Sequence, residues 1–258
     1  MTKGSTFQAF LPILLEPDYS SMMISQLLFG EEFILLEKSG SWLHIRAEFD
    51  GTEGWVMKQG VKLRDASFEE NMGLLSNFRL LALPFATVLD LTKGQQRIIS
   101  SGAVWNTETG NTLTWYGHEF EFISREGFII PGNSFDPGEF GKRIVSLPAI
   151  PGGRSGFGFD GSGLVQMLCR MRGKNIPRNC QQQAELGTTI NFMYEVEEGD
   201  LAFFDDEEGE IIHVGMILDS GFLIHCASCV SIDHLDHHGI FSNEKEGYTH
   251  KLRVIKRI

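Results

Sequence analysis

Apolar and polar residues alternate over Trp42-Leu43-His44-Ile45-Arg46, the pattern of a half-buried strand. Similar short runs recur from about Phe7 to Leu63, parted by turns at Glu16-Pro17-Asp18-Tyr19-Ser20, Lys38-Ser39-Gly40-Ser41 and Asp50-Gly51. Arg64 to Arg79 is polar and helix-tolerant, and reads as a linker. A second strand-rich run spans Leu83 to about Ile130, punctuated by Gly102, Gly110 and Gly117 and closed by Pro131-Gly132-Asn133-Ser134. The pattern then changes. Phe140 to Leu147 reads as a short helix. At Gly158-Phe159-Asp160-Gly161-Ser162-Gly163 a Gly-rich turn opens a longer one, with Asp160 as N-cap and Leu164, Val165, Leu168 and Met171 on one buried face. Gly199–Phe204, His213–Leu218 and Phe222–Ala227 read as consecutive strands. The chain therefore divides into residues 1–65, 80–131 and 132–258: two small β modules followed by an α+β domain.

Composition narrows the classes. A chain of 258 residues, 42% apolar, can bury several real cores. Its 22 basic and 34 acidic residues give a net charge of −12, a poor footprint for nucleic acid or an anionic membrane surface. No run approaches the roughly 18 apolar residues of a membrane span. The start, Met1-Thr2-Lys3-Gly4-Ser5, leads into no long apolar segment, so the expectation is a cytoplasmic protein. Export is the alternative, since a removed leader replaced by a new Met gives the same start. The four cysteines, Cys169, Cys180, Cys226 and Cys229, are too few for a disulfide scaffold and read as reduced thiols.

The first β module resembles a bacterial SH3-like domain: Gly30-Glu31 at the distal loop, Trp42-Leu43-His44-Ile45 on one strand, Gly54-Trp55-Val56 near the end. The second is read as another SH3-like barrel, partly on the known SH3–SH3–peptidase architecture.

The third domain resembles the NlpC-type cell-wall cysteine peptidases. Phe159-Asp160-Gly161-Ser162-Gly163-Leu164-Val165-Gln166 is similar to that family's nucleophile motif, which reads Asp-Cys-Ser-Gly-Leu. Gly199-Asp200-Leu201 resembles its Gly-Asp-Leu strand. His213-Val214-Gly215 resembles its catalytic His motif, and Ile224-His225-Cys226-Ala227-Ser228 the strand bearing its third polar residue. The resemblance covers roughly the last half of the chain and implies a papain-like α+β fold. It departs at the centre: Gly161 stands at the nucleophile position. Upstream, where the family commonly has Tyr-x-Trp-Gly-Gly, this chain has Ala149-Ile150-Pro151-Gly152-Gly153. Ala149 thus replaces the Tyr that helps form the family's oxyanion site, and Pro151 replaces the Trp.

Geometry places the two histidines together. Asp219-Ser220-Gly221 is a three-residue hairpin loop with Gly at the left-handed position. If Leu218 pairs with Phe222, Gly215 opposes His225, and His213 and His225 become diagonal neighbours on one face, ~7–8 Å apart at the backbone. That suits one imidazole orienting another as general base. Cys169 lies ~12 Å along the helix from Gly161, too far to serve the same histidine. Ser162 points about 100° away from Gly161 and is not expected to replace the thiol. Cys226, Cys229, His234, His237 and His238 lack a finger-like spacing, and Cys226 faces away from His225, so no metal or other cofactor is expected.

The active relatives cleave γ-D-glutamyl-L-diamino-acid bonds of murein stem peptides. The resemblance makes Gly161 the vacant nucleophile position, His213 the base and His225 its orienter. Ala149, Asp160, Ser162, Gly163 and Arg178 are expected at the substrate side. Arg178 belongs to a Pro-Arg-x-x-x-Gln stretch that lines the family's groove, with a solvated polar loop as the alternative reading. Two readings stay open. One is a fold whose chemistry is lost, retained to bind a peptidoglycan stem peptide or a partner. The other is an active peptidase whose Cys was substituted at position 161. Three altered positions in one site favour the first.

Overall fold

A computed structural model describes residues 2–64, 78–106, 111–123, 126–243 and 245–258. Most of the linker read over Arg64–Arg79 lies outside the described residues, as does Gly110. The chain forms two compact units, one of residues 1–133 with 155–157, the other of residues 134–154 with 158–258.

Among its described residues the first unit is built of β-strands, with one 3-10 turn at Lys58–Gly60. Its N-terminal part is one seven-stranded antiparallel sheet, in the order Met23–Leu28, Phe10–Leu14, Glu53–Met57, Trp42–Ala47, Glu32–Ser39, Lys3–Thr6 and Val61–Arg64. The alternation over Trp42–Arg46 does what strand periodicity demands. Leu43 and Ile45 enter a core with Leu11, Ile13, Leu27, Phe33 and Val56, while His44 and Arg46 face outward against Trp55 and Glu53. The later part has a four-stranded sheet (Gln95–Ser100, Phe85–Asp90, His118–Phe122, Thr112–Trp115) and a three-stranded one (Val104–Asn106, Phe78–Leu81, Phe128–Ile129).

The sequence reading keeps these two modules apart, yet they share a core. Phe7 and Phe29 come from the first and pack among Leu81, Val88, Trp105, Phe120 and Phe122 of the second. Both rings lie close to Phe120, at centroid distances of 5.0 and 5.2 Å. Burying two such rings stabilises by roughly 1.5–3 kcal/mol each, so neither module has a complete core alone.

The second unit carries the helices α1 (Pro137–Ile144), α2 (Gly161–Met171) and α3 (Cys180–Ala184). Helix α1 starts earlier than the apolar pattern suggests, because Asp136 caps it and Pro137 fits its first turn. It stops at Ile144, before the left-handed Ser146. In α2 Leu164, Val165, Met167, Leu168 and Met171 are all fully buried. Among the described residues the large sheet of this unit has seven strands, β1 (Thr188–Ile190), β2 (Leu201–Asp205), β3 (Ile211–Ile217), β4 (Phe222–Cys226), β5 (Val230–Leu235), β6 (Gly239–Ser242) and β7 (Gly247–Arg257). Their order is β1-β7-β2-β3-β4-β5-β6, and β7 also pairs with β6, so β2 to β7 close on themselves. Ala202, Phe204, Ile217, Leu223, Leu235, Ile240 and Ile255 fill the enclosed face. By strand alternation His213 and His225 share it.

Candidate active site

Asp160 organises the turn that opens α2. Its Oδ1 accepts from Gly163 N at 2.7 Å, as an N-cap does, and its Oδ2 accepts from Gly152 N at 2.8 Å. Arg178 grips the same carboxylate with Nη1 on Oδ1 (2.9 Å) and Nη2 on Oδ2 (2.7 Å), and Nη1 also donates to Ser162 Oγ at 2.9 Å. Arg178 is buried. Arg178 is therefore not a solvated loop residue: it neutralises and orients the capping Asp. Gln183 of α3 completes the support, donating to the carbonyls of Ser162 and Pro177. Gly163 is required by packing, because a Cβ there would collide with the carbonyl of Gly153. Ala149 contributes backbone only. It bridges to Phe159 and its N–H donates to Ser228 O at 3.0 Å, leaving no polar side chain where the resemblance puts a Tyr.

Gly161 is the first residue of α2. A Cβ built on it would lie 3.2 Å from His213 Nδ1, 3.3 Å from His213 Cε1 and 3.4 Å from the Cys226 carbonyl. The side-chain position at 161 therefore points directly at the imidazole of β3, which already sits close enough to crowd a Cβ.

The β3–β4 hairpin has the register expected from its loop, with Gly215 opposite His225 and Gly221 left-handed. A Cβ on Gly215 would collide with Leu223 Cδ1 and stand 3.0 Å from the Ile224 carbonyl oxygen and 3.1 Å from His225 Cβ, so the glycine lets β4 pack closely here. His213 Nε2 and His225 Nδ1 are 2.9 Å apart. His225 Nε2 lies 2.9 Å from Asp233 Oδ2 on β5. This chain of contacts sets the protons. The Asp233 carboxylate can only accept, so His225 Nε2 carries hydrogen and donates to it. The neutral His225 then accepts at Nδ1 from His213 Nε2–H. His213 Nδ1 is left with a bare lone pair facing residue 161, the tautomer a general base needs.

Two members of this arrangement were not singled out in the sequence. Asp233 sits opposite Leu223 in the β4–β5 register and so lies diagonal to His225 on the same face. The register of that hairpin is the signal that finds it. His250 of β7 stacks on His213, ring centroids 4.3 Å apart and 23° between planes. No local pattern links it to His213, 37 positions earlier in the chain.

Burial governs the titration of these groups. It pushes His213 well below its ordinary range, and His250 and His225 push the same way. Burial also lowers His225, against the opposing pull of Asp233. His250 is lowered to about 4, by burial first and then by the charge of His225. All three rings are neutral near pH 7. Burial pushes the thiols of Cys169 and Cys226 up to about 12 and raises that of Cys180. Cys226 Sγ is turned to the Phe159 carbonyl at 3.2 Å. None of these three is an activated thiol. Among the described residues no three His, Cys, Asp or Glu side chains converge as metal ligands do.

The Gly-Asp-Leu stretch plays a framework part. Asp200 is buried and accepts from Arg257 Nε and Nη2, both at 2.9 Å, which ties β7 to the start of β2.

Comparison with known families fits this geometry. The NlpC/P60 family pattern matches residues 150–247, the span that holds Gly161, His213 and His225. The second unit holds an NlpC/P60 domain. Residues 13–61 match the bacterial dipeptidyl-peptidase Sh3 domain. The chain is 27% identical over 225 residues to a gamma-D-glutamyl-L-lysine dipeptidyl-peptidase of Bacillus subtilis, covering 78% of this chain and 71% of that protein. It is 38% identical over 227 residues to the enzyme of the same name from Bacillus cereus, covering 78% of this chain and 66% of that one. The fold is shared with the crystal structure of an NlpC/P60 family protein from Bacillus cereus, at a TM-score of 0.82 and 19% identity over 99% of both chains. In this NlpC/P60 domain the imidazole relay is assembled, and the residue it faces is a glycine.

Proposed function

We propose that this protein binds a γ-D-glutamyl peptide of the kind found in peptidoglycan stems and does not hydrolyse it. One observation carries the reading: the side-chain position facing His213 Nδ1 belongs to Gly161, which has no atom to offer as nucleophile. Ser162 is not a substitute, because its Oγ is engaged by Arg178 and Asp160. Removing the nucleophile of a hydrolytic triad costs on the order of 10⁶-fold in rate, and loss of an oxyanion donor costs ~10²–10³-fold more. The framework around the proposed binding side supports this reading, with the cap Asp160 clamped by Arg178 and the hairpin in register.

The second reading, a peptidase altered at position 161 alone, is favoured by the complete His213–His225–Asp233 relay. Calorimetry and a hydrolysis assay with L-Ala-γ-D-Glu-L-Lys separate the two. The first reading expects measurable binding and no turnover. Robust turnover by the unchanged chain, abolished by His213→Ala, would sink it.

A further inference from the structure

The first turn of α2 and the buried edge of His213 face each other across the place that a side chain at 161 would fill. Gly161 and Ser162 are half-buried there. Their backbone N–H groups have no partner among the described residues. The cap Asp160 is committed to Gly163 N, Gly152 N and Arg178, and its carbonyl to Leu164 N. His213, only 8% exposed, uses Nε2 on His225, and its Nδ1 has no partner. A helix N-terminus with free N–H groups favours negative charge. In a cysteine hydrolase that charge is a thiolate, and this chain cannot supply it.

We propose that the site takes a free carboxyl group, the γ-carboxyl of a glutamyl peptide already released from its amide, in preference to the intact γ-linked peptide. This rests on the reading that the domain binds γ-D-glutamyl peptides without cutting them. One carboxyl oxygen accepts from the Gly161 and Ser162 N–H groups. The other meets His213 Nδ1, and two lone pairs cannot share that contact without a hydrogen between them. One proton from solvent therefore enters with each carboxylate. It is shared by Nδ1 and the carboxyl oxygen, and no covalent bond changes. A secondary trans amide presents its C=O and N–H on opposite edges and cannot satisfy both sides of this site at once. A primary amide can do so without a proton, but brings no charge to the helix terminus.

The surroundings of His213 set the direction with pH. His225 on β4, His250 on β7 and, through His225, Asp233 on β5 pack around the ring. Asp160 at the helix side is held by Arg178, and Lys245 acts on His250. The unliganded imidazole is neutral, and an adjacent carboxylate raises its proton affinity. Affinity therefore falls as pH rises through the window between the free and bound titration points, by up to about tenfold per unit.

The test is calorimetry on the whole chain with three probes: L-Ala-D-Glu, its γ-carboxamide, and L-Ala-γ-D-Glu-L-Lys. At about pH 6 the acid is expected to bind at least about tenfold tighter than either amide. It should take up close to one proton, read from titrations in two buffers of different ionisation enthalpy. His213→Gln should abolish the proton uptake. The uptake measured on the unsubstituted chain decides the matter even if that variant does not fold. Equal or tighter binding of the tripeptide, or binding of the acid without proton uptake, overturns the carboxyl assignment and leaves the peptide-binding reading standing. No binding of any probe overturns both.

Discussion

Arg178 holds Asp160 by two parallel hydrogen bonds, 2.9 and 2.7 Å long, and so fixes the turn from which α2 departs. A fork of this kind needs a planar guanidinium, which lysine lacks. Arg178→Lys is expected to cost about 1 kcal/mol and Arg178→Ala about 1–3 kcal/mol, discounted because the Asp160 side chain is 29% exposed. Urea unfolding monitored by circular dichroism measures both. Equal stability of all three proteins would show that the turn does not depend on the clamp.

Position 161 offers a direct chemical test. A Cys there places its thiol at a helix N-terminus beside His213, where a Cys pKa is depressed. Gly161→Cys is expected to create a thiol that reacts with iodoacetamide near neutral pH, unlike buried Cys169 and Cys226. His213 must shift by a few tenths of an ångström to admit the Cβ. Restored hydrolysis is therefore expected to be slight with Gly161→Cys alone and to rise when Ala149→Tyr is added. Full recovery by the single change would instead identify residue 161 as the only lesion.

Asp233 anchors the proton order of the relay. Removing it frees His225 Nε2 and, with it, the constraint on His213. Asp233→Ala is expected to move the nitrogen-15 resonances of both rings from one fixed tautomer each towards mixed populations. Stability should fall by about 1–3 kcal/mol, as for an unpaired buried polar group. Unchanged imidazole resonances would show that the tautomers are set elsewhere.

The buried histidines couple stability to pH. His250 titrates at about 4 in the folded chain against an ordinary value of 6.5. Between those values the unfolded chain binds the extra proton, so stability rises with pH and is complete above 6.5. The slope is at most about 1.4 kcal/mol per pH unit for each such histidine, and less for half-buried His250. Glu32, raised by its own burial, acts in the opposite sense, so the comparison with a variant is what counts. His250→Phe, which keeps a ring against His213, is expected to flatten the stability profile between about pH 4.5 and 6.5. An identical profile would remove His250 from the account.

Local chemistry made parts of this molecule legible in its sequence. The cap at Asp160 with the Leu164, Val165, Leu168, Met171 spacing specified α2. The loop at Asp219–Gly221 specified the register that pairs His213 with His225. What escaped was set by contacts between distant segments. Asp233 joins the relay only once β5 pairs with β4, and His250 only once β7 closes the sheet. Phe7 and Phe29 look like core residues of their own module and fill the neighbouring one. Arg178 was visible as a charge in a polar loop, but its partner lies 18 residues away, at the far end of α2.

Strand β7 runs to Arg257 and pairs with β1, β2 and β6, closing the sheet on which both site histidines stand. During synthesis this has a consequence for timing. While residues 247–257 are still inside the ribosome, β2 and β6 present unpaired edges and Ile255 is missing from the enclosed core. The first unit has its strands in hand except for the short insertion at 155–157, but the second must wait as an open sheet. His213 meets His250 only after residues 247–257 have emerged, so the site cannot form before the sheet that carries it has closed.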